Sequence, residues 1–169
     1  MTLRHGIPWF STLALGALTC ASAQQDGDPT RGNLELTTVV EKIVEVKQKD
    51  GAIKTELVPV DVALPGDEVV YTVSFTNVSK QAADNIRITN PIPSDMRYLP
   101  NSAFGPGTEV LYSVDGGLTF ASPKELTVAS DSGARRTADA SDYTHIRWVL
   151  KAPLDAGAKG FARFSAVVR

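Results

Sequence analysis

Residues 64–77 read LPGDEVVYTVSFTN. Pro65-Gly66 suits a turn, because proline presets one backbone angle and glycine accepts the positive angle that follows. From there Val69, Tyr71, Val73 and Phe75 alternate with Val70, Thr72, Ser74 and Thr76. Successive side chains of a strand point to opposite faces, so this is the period of a half-buried β-strand. It is the cleanest such run in the chain, and the rest of the sequence is read around it.

Upstream, residues 34–60 read LELTTVVEKIVEVKQKDGAIKTELVPV, two β-branched runs joined at Asp50-Gly51. That dipeptide supplies the positive backbone angles of a tight turn, so a β-hairpin is expected. Leu34, Leu36, Thr38, Val40, Val44 and Val46 share one face, broken by Lys42. Leu36, Val39, Val40, Ile43 and Val44 also fit helical spacing. Strand is favoured, since β-branched side chains lose freedom in a helix and suit a pleat. Before it, QQDGDPTRGN (24–33) is polar with Gly and Pro and reads as a flexible tether.

Downstream, DNIRITNPIP places Ile86 and Ile88 inward and stops at Pro91 and Pro93, which cannot donate to a sheet ladder. MRYLP is a short extended piece before a Gly/Pro loop. EVLYSV and LTFASPKELTV flank Asp115-Gly116-Gly117, as the two legs of a hairpin flank its turn. Residues 130–142, SDSGARRTADASD, read as a mobile surface loop. Ile146, Trp148 and Leu150 then share a face, as do Ala162, Phe164, Ala166 and Val168. Eight or nine short strands without a convincing helix predict an all-β fold, an immunoglobulin-like antiparallel β-sandwich with an added N-terminal β-hairpin. The expected domain is single, residues 34–169, with the hairpin at 34–60 and a core at 61–169.

Three quoted stretches, PGDEVVYTVSFTN, ADNIRITNPIPSDMRYLPNSA and IRWVLKAPLDAGAKGFARFSAVV, resemble the bacterial conserved repeat domain known as domain of unknown function eleven. The likeness covers roughly residues 58–169. It departs at Asn90-Pro91-Ile92-Pro93, where the family carries Asp-x-Leu-Pro, and at Asp155-Ala156-Gly157, where it carries a Pro-Gly-like turn. The resemblance implies an immunoglobulin-like module of an exported or surface protein, and it implies no reaction. Ser113, Asp115, Gly117, Thr119 and Phe120 are also similar to the Asp-box of sialidases and related propellers, S-x-D-x-G-x-T-F. One copy in a chain too short for a propeller is read as turn architecture, with Asp115 accepting backbone N–H groups and Phe120 packed below.

Residues 1–23, MTLRHGIPWFSTLALGALTCASA, have a basic start, an apolar run and the small-x-small ending Ala21-Ser22-Ala23. This pattern predicts a signal peptide cleaved before Gln24, and hence an exported protein, periplasmic or extracellular. The apolar run is too short for a permanent span. A lipoprotein anchored through Cys20 is the less favoured reading, because Thr19 and Ala17 occupy the positions where a lipobox wants a small and an aliphatic residue. Cleavage removes Cys20, the sole cysteine, together with His5, one of two histidines. A cysteine nucleophile, a Cys/His zinc site and a multi-histidine site then lack their ligands.

The charge balance is −2 with both signs interspersed, which gives no basic stripe for nucleic acid. His145 is the one histidine that remains after cleavage. It is read as a solvated strand residue, since no G-x-S-x-G elbow accompanies it. The carboxylates Asp67-Glu68 and Asp26 with Asp28 are read as turn acids rather than a calcium site, for want of further oxygen ligands. Asn77 begins an N-x-S sequon and is read as bonding turn backbone. No catalytic, cofactor or metal residue is therefore assigned. The expected function is a non-catalytic structural or binding module of the bacterial envelope or exterior, with an envelope or surface protein as partner. A fibre subunit exchanging its N-terminal arm, by self-association, is the alternative. A carbohydrate-acting protein is the least supported.

Overall fold

The computed structural model describes residues 34–130 and 133–169. Among the described residues ten strands are formed: β1 Leu34–Lys47, β2 Ile53–Pro59, β3 Glu68–Asn77, β4 Arg87–Pro91, β5 Met96–Tyr98, β6 Thr108–Ser113, β7 Thr127–Ala129, β8 Arg135–Thr137, β9 His145–Leu150 and β10 Lys159–Val168. No helix occurs among the described residues. Every pairing is antiparallel. One sheet has the order β2-β1-β3-β10-β5, a second β4-β9-β6, and β7 pairs with β8 alone.

The core lies between the two larger sheets. Val69, Val73 and Phe75 from β3 and Ala162, Phe164 and Ala166 from β10 meet Ile88, Tyr112, Ile146 and Trp148 from the opposite sheet. Tyr71, only half-buried, stacks on Phe164 with ring centroids 4.8 Å apart. Phe164 in turn approaches Trp148 and Tyr98 at 6.3 Å each, so aromatic edges and faces tie the sheets together. Gly160 lies opposite Phe75. A Cβ there would sit 2.4 Å from the Phe75 ring, so that strand position accepts no side chain without a shift.

The chain crosses between sheets at turns that one side chain holds. Asn77, at the end of β3, is completely buried. Its amide nitrogen donates to the carbonyls of Gln81 and Leu154, both at 2.8 Å, and its oxygen accepts from the Ser79 amide and hydroxyl. Its own backbone bonds Ala158 and Gly157. With both polar ends of the amide satisfied, Asn77 clamps the loop after β3 to the loop that leads into β10. Its side chain is therefore enclosed in the folded chain, not presented at the surface as a glycosylation acceptor would be.

Two expectations are corrected. The run after the Asp115 turn is not a paired strand: only Ala121 bridges back, to Tyr112, and the chain leaves to form β7. The expected mobile loop at 130–142 is not featureless in its described residues 133–142. They carry β8 and a turn in which Asp142 accepts two bonds from the Arg136 guanidinium, at 2.6 and 2.8 Å. Polar composition hid this strand, because its three residues are exposed and draw no apolar pattern.

Candidate functional site

The Asp115 loop forms locally. The Ser113 hydroxyl donates to Asp115 Oδ1 at 2.7 Å and accepts from the Gly117 amide at 2.9 Å. Asp115 also accepts the amides of Leu118 and Thr119 and the Thr119 hydroxyl. Gly116 and Gly117 have φ of 77° and 88°, the left-handed region that glycine enters without steric cost. Hydrogen bonds from Ser113 first, then Thr119, hold the Asp115 carboxyl far below the usual carboxylate range. Its oxygens are thus spent on the loop itself. Phe120 does not pack below the loop. It lies beneath the Arg147 guanidinium, 3.5 Å from carbon to ring centroid, on the outer face of the three-stranded sheet.

His145 stands beside this loop. Its ring lines Gly117, where a Cβ would come within 3.2 Å of it, and its Nδ1 lies 3.2 Å from the Thr144 hydroxyl. The Thr144 hydroxyl accepts from the Gly116 amide and donates to the Ser113 carbonyl. His145 and Asp115 are therefore neighbours in one loop cluster, but the Asp115 carboxylate bonds Ser113, Leu118 and Thr119 while the imidazole meets the Thr144 hydroxyl, which is not the arrangement of a base and its orienting acid. Asp67 accepts the Leu64 amide at 2.9 Å and closes the turn before β3. Asp26, Asp28, Cys20 and the cleavage residues Ala21, Ala23 and Gln24 lie outside the described residues. Among the described residues no three His, Cys, Asp or Glu side chains gather as metal ligands.

A buried hydroxyl pair lies deeper. Tyr98 and Tyr112 oxygens are 3.0 Å apart, and the Tyr98 oxygen accepts the Ala103 amide. Burial, then the Tyr98 bond, pushes the Tyr112 hydroxyl far above its ordinary range. The pair is closed in by Tyr143, stacked on Tyr112 at 4.4 Å. Its position fits a core network rather than a reacting centre.

The N-terminal hairpin presents the other surface. Asp50 accepts the Ala52 amide and Gly51 takes φ of 87°, closing a turn between Lys47 and Ile53. The hairpin is only partly covered: Leu34 and Val40 pack against the core, yet other apolar side chains stay in solvent on both faces. Leu36 is 52% exposed on the core-side face, while Val39, Ile53 and Leu57 are 45%, 67% and 44% exposed on the other. Beneath Leu57 a groove of about 310 Å³ runs between the hairpin and the outer face of β3 and β10, lined by Ile43, Val70, Arg163 and Ser165. Alternation showed these strands, but it was silent on whether either face would be covered. Among the described residues no helix is long and apolar enough to cross a membrane. No family model, curated protein or solved structure matches the chain.

Proposed function

We propose that this chain is a non-catalytic exported module of immunoglobulin-like type that works by binding an envelope or surface protein through its N-terminal hairpin. The observation that carries this reading is the hairpin's exposure on both faces, with Leu36 in solvent on one and Val39, Ile53 and Leu57 on the other, where Leu57 lines a groove of mixed apolar and polar character. Exposed apolar clusters on a folded domain mark contact surfaces more often than accidents. The likeness of residues 58–169 to the conserved repeat domain belongs to the same reading. It is supported by Asn77, whose place at the end of the Tyr-Thr strand is explained by the clamp it forms. The leader-like residues 1–23 support export.

The test expresses the chain with its leader in a bacterial host. The expected mature N-terminus is Gln24, recovered from the periplasm or medium. Crosslinking in place is expected to retain an envelope partner with the wild-type chain and to lose it with Ile53→Glu and Leu57→Glu, at unchanged folding. An uncleaved cytoplasmic chain, or glycan turnover abolished by Asp115→Ala, overturns the proposal. The fibre-subunit reading draws on a separate observation, the open edge of β1.

A further inference from the structure

β1 is fourteen residues long and is used unevenly. On one side residues 34–42 pair with β3. On the other, β2 pairs only with residues 41–47. Residues 34–40 thus leave one side without a strand partner among the described residues. The Val40 carbonyl accepts the Val60 amide on that side. Strand alternation then directs the peptide groups of Leu34, Leu36 and Thr38 the same way.

The other sheet edges carry features that discourage pairing. β2 places Lys54 and Glu56 in the register of Val46 and Val44 and ends on Pro59. β4 ends on Pro91, β5 has three residues, and the free side of β6 is partly taken by the Tyr112–Ala121 bridge. Residues 34–40, LELTTVV, contain no Lys, Arg, Pro or Gly. An unprotected edge of this kind is a template for another strand.

We infer that this edge pairs with the same edge of a second copy, antiparallel about a twofold axis at Thr37. Antiparallel geometry faces outward-bonding residues with one another, so the axis must fall on a residue. An axis at Thr38 sets Glu35 against the second copy's Glu41, twice by symmetry. An axis at Leu36 shortens the pairing to residues 34–38. The Thr37 axis keeps 34–40 in register with its ladder bonds between Leu36 and Thr38, sets Leu34 against Val40, whose carbonyl already accepts the Val60 amide, and opposes Glu35 with Val39. Leu36 then faces Thr38, with the second copy's Leu36 and Val40 on its diagonals, so its exposed side chain is covered. This rests on the binding-module reading and names the occupant of one edge. The crosslinking test above probes β2 instead, so either can fail alone.

The experiment uses the full secreted chain with Cys20→Ser throughout, followed by sedimentation across concentration. A concentration-dependent dimer is expected. Val39→Glu should weaken it about tenfold, by setting two like charges opposite each other at both ends, and Val39→Lys should tighten it through Glu35. Val39 is on the solvent side, so both variants fold alike. Thr37→Cys should form a reducible dimer rapidly, because directly opposed residues of this pair type lie about 4.5 Å apart, within disulfide reach. Leu36→Cys, facing Thr38, should crosslink far more slowly. A chain monomeric at all concentrations, equal shifts from Val39→Glu and Val39→Lys, or equal crosslinking at positions 36 and 37 overturns the inference.

Discussion

β1 and β10 both run antiparallel to β3, one on each side, and each pairs with nine of its residues. Their sequences alternate alike, yet their fates differ. Ala162, Phe164 and Ala166 of β10 are wholly buried, while Leu36 and Thr38 of β1 stay in solvent. The difference lies in the facing sheet. It has three strands against five, so β3 and β10 are covered along their length, while of β1 only Leu34 and Val40 pack against the core at its near face. Hydrogen bonding to a buried strand is therefore not enough to bury a neighbour, and the same alternating pattern builds a core in one place and a contact surface in the other.

The comparison breaks first at its buried side. Phe164→Ala removes the ring that Tyr71, Tyr98 and Trp148 all touch, and should cost about 3–5 kcal/mol by urea denaturation. Asn77→Ala removes every bond that its buried amide makes, to the Gln81 and Leu154 carbonyls and from Ser79, and should cost about 1–3 kcal/mol in the same assay.

A smaller effect concerns pH. The folded Tyr112 hydroxyl titrates higher than the unfolded one, so its contribution is intact below about pH 10 and is lost as pH rises, when only the unfolded chain ionises readily. Tyr112→Phe should cost about 1 kcal/mol at neutral pH and flatten the alkaline loss of stability seen in urea midpoints from about pH 9 to 11. Tyr71 and Tyr143 are shifted the same way by burial, so the slope should fall without vanishing.

Asp115 has the opposite sign. Its folded carboxyl titrates lower, so its support is present above the ordinary carboxylate range of about 4 and is lost only as pH falls well beneath it. Hydrogen exchange at the Leu118 and Thr119 amides should remain slow down to that range in the wild type, and should be faster at every pH in Asp115→Asn. The smallest effect is expected on the exposed strand. Leu36→Ala, measured where the chain is monomeric, should change stability by no more than about 0.5 kcal/mol. A cost near that of Phe164→Ala would show that Leu36 is covered after all.

Much of this fold was legible in the sequence. The turn at Asp50-Gly51, the strands around Tyr71, Ile88, Trp148 and Phe164, and the inward set Val69, Val73 and Phe75 all follow from local pattern. The Asp115 loop was legible too, because its partners Ser113 and Thr119 are within four residues of it. β8 was not, since its stability draws on pairing with β7 and on the Arg136–Asp142 bonds rather than on an apolar face. Phe120 was misplaced because its partner, Arg147, is distant in sequence and opposite to the core.

By itself the sequence determined the all-β character, the strand faces and the turns, since these depend on backbone angles and on side-chain period within a few residues. Only the tertiary structure decided which faces are covered, that Asn77 clamps two loops across the interior, and that residues 34–40 keep an open edge. Those outcomes depend on how many strands each sheet recruits and in what order. Strand recruitment is set by pairings between distant segments, which no local pattern encodes.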